Sequence, residues 1–311
     1  MTGMLPPLTP TTLLTSWVLD PLGASLAAAL VGLYAVGLVR ARRRGVRWPW
    51  LRSVAFLVMG VGSLILATCG GIAAYRSSLF WAGAVQATVL SAVTPVGLAL
   101  GDPVALAEKT WGDAKVRQLR HALRGPVARV LMFPLVSSAL AIGSLILVFF
   151  TGYFVASTSS ALVRAALEAQ MLVTGSLFVL PLLGEDLLPA WCTPPVRAVI
   201  AFADGLLDAL PGIFVMTASP VLARGAVGLT TRAWGPTPEL DQKLGGGAML
   251  LIAEVVGLPV LAAIIASWVR SDEADAREVD AALDALAPES VEPERTRPWW
   301  ETDPRFADRQ E

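Results

Sequence analysis

Hydrophobic residues in this chain fall in long unbroken stretches, without the alternation or the one-sided helical stripe of a water-soluble fold. Seven stretches reach the roughly 20 mostly apolar residues needed to cross a bilayer. They run over about 22–39, 53–74, 79–100, 131–153, 163–184, 198–219 and 246–268. The second and third are separated by only a few residues around Tyr75–Ser78, which predicts a tight helical hairpin. The pattern predicts an all-α membrane protein, a bundle of seven transmembrane helices. An N-terminal segment (1–21) precedes the transmembrane domain (22–269), and a polar tail (270–311) follows it.

Composition agrees with the pattern. Of 311 residues, 55% are hydrophobic and 16% charged, against about 25% charged in an ordinary soluble domain. That hydrophobicity excludes intrinsic disorder of the whole chain. The formal net charge of −1 conceals an asymmetry. Residues 270–311 hold 13 acidic and 6 basic residues, whereas residues 1–269 hold 12 acidic and 18 basic. A mildly basic membrane body therefore carries an acidic tail, and no basic stripe suited to nucleic acid is present.

The basic residues predict orientation, because Lys and Arg are retained on the cytoplasmic side. The gaps after the first, third and fifth spans carry 13 of them, including Arg40, Arg42, Arg43, Arg44, Lys109, Lys115 and Arg129; the opposite gaps carry five, Arg76, Arg164, Arg224, Arg232 and Lys243. The N-terminus is expected outside and the acidic tail in the cytoplasm, with the protein multi-pass in the cell (plasma) membrane. Trp17, Trp48, Trp50, Trp81, Trp191, Trp234 and Trp268 fall near predicted span ends, where the amphipathic indole favours the headgroup level. Met1 to Pro10 lacks a basic n-region and carries two consecutive prolines, so the first span is expected to serve as the insertion signal. Cys69 and Cys192 fall on opposite sides of this topology and are not expected to pair.

The 41–50 loop is strongly basic and is expected beside anionic lipid. The 101–129 loop reads as an amphipathic surface helix in which His121, the single histidine, lies beside Arg120 and Arg124 and is expected to be solvated. The 220–244 loop, rich in Gly and Pro, is irregular and placed to cover the outer mouth of the bundle. In the tail, Val279, Leu283 and Leu286 share one face of a helix over 272–286; Trp299, Trp300 and Phe306 then interrupt the charges, either on the membrane or as a docking segment for a partner.

Candidate chemistry rests on polar residues inside the spans. Ionisable groups there cost about 2.5–3.5 kcal/mol each at the centre. Four occur: Glu168, Asp204, Asp208 and Glu254. Gln86 and Gln170 add neutral polar groups. No basic residue lies deep in a span, so no ion-pair partner is expected for the acids, which should point inward. They either hydrogen-bond between helices or line a polar cavity in the outer half. Pro211-Gly212 in the sixth span, near Asp208, is placed to bend the helix. Met171, Met216, Met249 and Cys69 are soft donors of the kind Cu(I) takes, although methionine in a bundle is usually packing. No nucleophile elbow, phosphate loop or zinc spacing appears, and no enzymatic activity is expected.

Several segments together resemble one family. Asp241-Gln242-Lys243-Leu244-Gly245-Gly246-Gly247-Ala248-Met249 resembles the DQxxGGxxM signature of the bacterial cytochrome c oxidase assembly factor CtaG family (caa3-type oxidase assembly). Gly175 to Gly184, with Glu185, Asp186 and Pro189, is similar to its GxLFxWPxxGxDPxP segment. Trp17 to Asp20-Pro21 looks like its aromatic–Asp-Pro entry. Leu79-Phe80 through Gln86 to Pro95, then Gly101-Asp102-Pro103, follows its third helix. The resemblance covers about residues 17–275 and implies a membrane protein acting in maturation of the oxidase copper centres, with oxidase subunits or another assembly factor as partners besides the lipid bilayer. The departures are systematic. The family's third helix carries HMxQHxL, two histidines on one face, where this chain reads Gly83-Ala84-Val85-Gln86-Ala87. Histidines expected near Phe133, near Phe150, at Gln170 and at Asp208 are also absent. Direct copper binding is therefore not expected, and copper enters only through the resemblance. The expected role is a scaffold or partner-binding one. The polar positions singled out are Glu168, Gln170, Asp204, Asp208, Asp241 and Glu254. The alternatives are a small transporter or ion-conducting bundle using the intramembrane carboxylates, and a structural accessory subunit of a respiratory complex.

Overall fold

The structure, a computed structural model, describes residues 6–183 and 193–286. Its order is α1 (Pro10–Thr15), α2 (Pro21–Arg43), α3 (Trp50–Tyr75), α4 (Phe80–Thr110), α5 (Asp113–Arg124), α6 (Pro126–Leu131), α7 (Pro134–Phe150), α8 (Tyr153–Ser159), α9 (Ala161–Leu183), α10 (Pro194–Thr217), α11 (Val227–Thr230) and α12 (Pro238–Leu286). Helices α2, α3, α4, α9, α10 and α12 each contain an apolar stretch long enough to span a membrane. Helices α7 and α8 are bent by 66° at Thr151–Gly152 and make a seventh span when taken together. The chain is an all-α membrane bundle.

Two compact units are present, Met1–Ile265 and Ala266–Glu311. Helix α12 supplies the end of the first and the start of the second. The helical stretch expected over 272–286 is its continuation, because residues 260–286 contain neither Gly nor Pro to stop it. Val279 and Leu283 are exposed on it. Trp299, Trp300 and Phe306 lie outside the described residues.

Helix starts follow their local chemistry. Asp20 caps α2, its carboxylate accepting from the Gly23 N–H at 2.7 Å, with Pro21 at the first helical position. The last turn of α2 carries Arg40, Arg42 and Arg43, which suits the negative end of the helix dipole. In α4 the ladder breaks at Gly101–Asp102. Asp102, at φ 47°, caps Pro103–Thr110 by accepting from Ala105 N–H and is held by Arg52 at 2.6 Å.

Two stretches widen to π-helix, Ala55–Gly62 in α3 and Val89–Val93 in α4. Beside them Gly97 meets the backbone of Met59 and Gly60, and a Cβ on Gly60 would come within 2.9 Å of Leu98 N. The two backbones approach closely, with the Leu98 side chain beside the contact. Tyr34 stacks on Phe56 with centroids 4.0 Å apart and donates to Gly101 O, tying α2 to the same pair.

The core is completed by Phe80, Ala84, Ala87, Leu90, Val148, Phe149, Phe154, Leu167 and Met171, all nearly inaccessible. Outward faces carry Leu33, Val36, Phe202, Leu206, Leu251 and Val255, exposed to lipid.

Candidate functional site: buried polar clusters and an apolar plug

The hairpin turn after α3 and the loop before α12 build one end of the bundle. Asp241, 1% exposed, accepts from the N–H groups of Phe80 at 2.9 Å and Trp81 at 3.0 Å, and from Arg232 at 2.8 Å. It thus caps α4 from a different helix and neutralises a buried guanidinium. Gln242 donates to Val215 O and Ala218 O, both at 3.0 Å, and accepts from Leu222 N–H at 2.7 Å. The Asp-Gln pair closes the 220–244 loop onto the ends of α4 and α10. In that loop Ala223, Ala226 and Leu229 are buried, and Gly228 packs against Ser77 of the hairpin turn. The glycines that follow serve helix crossing. A Cβ on Gly212 would lie 2.8 Å from Gly246 O, and one on Gly246 would lie 2.5 Å from Gly212 O. Pro211-Gly212 therefore marks the close crossing of α10 and α12.

Glu168 lies one layer deeper. It accepts from Gln86 Nε2 at 3.0 Å, whose second N–H goes to Ala67 O at 2.8 Å. Arg76, in the turn between α3 and α4, folds inward: Nη2 donates to Ser157 at 2.7 Å and Nη1 stands 3.8 Å from Glu168. Burial pushes the Arg76 guanidinium down to about 10, against the raising effect of Glu168. It remains a cation at neutral pH. Asp20 and Arg164, 3.9 Å apart, add one charge of each sign. The expectation that the intramembrane acids lack a basic partner is therefore wrong for Glu168, and Asp241, before the seventh predicted span, is paired as well. Arginines counted as loop charges reach them, because a long side chain carries its charge several ångströms from its backbone.

The inward orientation expected of all four intramembrane acids also fails at one place. Glu254 is exposed on α12, on the same face as Leu251, Val255 and Leu258. Asp204 is buried and Asp208 partly so. These two sit four residues apart on α10, which puts them on one face, and they line a cavity of about 80 Å³ with Thr88, Ser91 and Met249. Asp204 is hydrogen-bonded to Ser138, and its Oδ1 has no partner. Glu168 does not line this cavity, so the acids form two separate sites.

The family-histidine positions do not form a ligand set. A Cβ at Gly83 would run into the Phe154 ring. Phe80, Phe149 and Phe154 form a closed triangle with all centroid separations 5.5 Å, and Ala87 is buried in the same cluster. Gln170 donates to Ser144 at 2.7 Å. Met171 and Met249 belong to the apolar core, Met216 packs at the α10–α12 crossing, and buried Cys69 lies against the Asp20 carbonyl. Cys192 lies outside the described residues, as do Glu185, Asp186 and Pro189. His121 is exposed. Among the described residues no three His, Cys, Asp or Glu gather to hold a metal. The donors a copper ion would need at Gly83 and Ala87 are absent and their space is filled, so this face does not fit copper.

Fold and polar anchors together define a multi-pass membrane protein whose buried charges join helices. The family described as cytochrome c oxidase caa3 assembly factor matches residues 32–271, and the chain belongs to it. Relatives include uncharacterized proteins of Mycobacterium bovis and Mycobacterium tuberculosis, each 29% identical over 279 residues. Both matches cover 88% of this chain and 42% of the relative. One of Mycobacterium leprae is 28% identical over 265 residues, covering 83% and 40%. The chain thus spans less than half the length of these relatives. No solved structure matches it.

Sequence reasoning missed Arg76 and Arg232 as partners of the acids, and Thr88, Ser91 and Ser138 around Asp204 and Asp208. The one available signal was an arginine placed directly at the end of a span, in a turn too short to need a topology charge.

Proposed function

We propose that the protein acts in cytochrome c oxidase assembly as a scaffold in the plasma membrane, binding oxidase subunits or another assembly factor without carrying copper itself. It lies with the N-terminus outside and the acidic tail in the cytoplasm, and its role is non-catalytic. Family membership supports the process. The observation that carries the scaffold reading is the aromatic plug: Phe154 occupies the space a side chain at Gly83 would need, so the face that would present paired histidines is solid core. The polar groups of the signature, Asp241 and Gln242, are spent on helix ends and a loop, which favours a rigid surface over a ligand site. The test is copper analysis of purified protein beside oxidase assembly in a deletion strain. Deletion should lower oxidase copper content while the protein purifies copper-free. Near-stoichiometric copper that survives substitution of His121 sinks the scaffold reading, and normal oxidase in the deletion strain sinks the assembly reading. Copurification with and without residues 270–311 tests whether partners dock on the tail.

A second reading, ion transport, draws on the Asp204–Asp208 cavity. It predicts proteoliposome flux that is lost in Asp208→Asn.

A further inference from the structure

Two acids, Asp204 and Asp208, face the cavity between α4, α7, α9, α10 and α12, and among its described lining residues there is no Lys, Arg or His. The other acids differ: Glu168 has Arg76 and Gln86, and Asp241 has Arg232 and two backbone N–H groups. Asp204 is only 4% exposed, and its Oδ1 is buried without a partner although Ser138 holds the side chain in place. A buried acceptor left unmatched in a fixed position points to a missing electropositive group.

We propose that this cavity binds one hard divalent cation of the Ca²⁺, Mg²⁺ or Mn²⁺ class. Two carboxylates balance a divalent charge. Oxygens dominate the donors present: the two carboxylates, and the hydroxyls of Thr88 and Ser91, whose protons go to the carbonyls of Ala84 and Thr88, against the single thioether of Met249. Oxygen donors select hard ions and disfavour Cu(I). A volume of about 80 Å³ is well above the roughly 10–15 Å³ that one water requires, so an ion and accompanying waters fit. The bound ion would clamp α10 to α4 and α7, the crossing where Asp204 already reaches Ser138.

The experiment uses the full chain in detergent, stripped with EDTA, with Mn²⁺ as the probe followed by loss of its free EPR signal. Wild type should take up one Mn²⁺ per chain, displaced by Ca²⁺. Asp208→Asn and Asp204→Asn should each weaken uptake about ten-fold or more, as losses around a metal do, and the double substitution should abolish it. Glu254→Gln, which alters an exposed carboxylate, should bind as wild type. Mn²⁺ should raise the melting temperature of wild type and leave that of the double variant unchanged. Folding of each variant is read from the same melt, and the Asn substitutions preserve shape while removing buried charge. The proposal is overturned if folded wild type takes up no Mn²⁺ at millimolar concentration. It is also overturned if the double variant binds as wild type, or if NaCl of equal ionic strength shifts the melt as much as Mn²⁺ does.

Discussion

Restoring a histidine at position 83 tests the plug directly. Gly83→His places a Cβ, and then a ring, where the Phe154 ring lies. Phe154 has no room to retreat, because Phe80 and Phe149 both stand at 5.5 Å and all three rings are at most 3% exposed. Overpacking a tight core by a few atoms costs about 1–3 kcal/mol, and occasionally more. Replacing a mid-helix glycine by histidine, itself a weak helix former, returns only about 0.3 kcal/mol. An imidazole is at the large end of such insertions, so a net loss of about 2 kcal/mol or more is expected. Phe154→Ala alone should cost about 3–5 kcal/mol through the void it leaves. In the double variant the imidazole fills part of that void. Its loss should fall short of the sum of the single losses by about 0.5–3 kcal/mol, the range for residues in contact. Denaturant unfolding in detergent, followed by tryptophan fluorescence, measures all three. Strict additivity, or a Gly83→His protein as stable as wild type, refutes the plug.

Three other substitutions separate the acidic residues by environment. Asp241→Asn should lose about 3 kcal/mol or more, because it strands Arg232 in a buried pair, and the same unfolding assay reads it. Asp20→Asn should change stability by less than about 1 kcal/mol, since asparagine caps a helix as well as aspartate and Arg164 is about one-third exposed and 3.9 Å away; a large loss would show that the outer charge cluster acts as a unit. Glu254→Leu should leave stability unchanged or raise it, because a carboxylate facing hydrocarbon costs about 2.5–3.5 kcal/mol at mid-span, and a marked loss in the isolated protein would contradict its outward placement.

How far the sequence disclosed this structure differs by element. The spans were legible because apolar length alone defines them, and the tight turn after Tyr75 was legible because so few residues join two long stretches. The two Asp-Pro pairs entered only through the resemblance, although an aspartate before a proline is a local helix-start signal. The pairing of charges was not. Arg76 belongs to a turn by position but to Glu168 by contact, and hydropathy places backbones while a guanidinium sits several bonds away. Glu254 was assigned inward on the general cost of membrane charges, yet which face of α12 meets the bundle depends on the crossing at Gly212 and Gly246. The loss of histidine was visible by count, but that Phe154 fills the vacated face depends on the bend between α7 and α8, which no local pattern encodes. Asp241 and Gln242 were recognised through resemblance as a signature. Only the contacts show that they fasten a loop and a helix end.

The two π-helical stretches bear on how this chain tolerates changes in length over evolution. In an α-helix, deleting one residue rotates everything beyond it by about 100°. For most of α3 that would swing buried Thr68 and Cys69 away from their side of the bundle. A π turn carries more residues than an α turn needs and can shed one by tightening, leaving the flanking turns in phase. Ala55–Gly62 and Val89–Val93 are thus places inside spans where a lineage can gain or drop a residue and keep both ends of the helix facing as before. Alignments of relatives should gather their single-residue gaps there, in segments where a gap would ordinarily be read as an error.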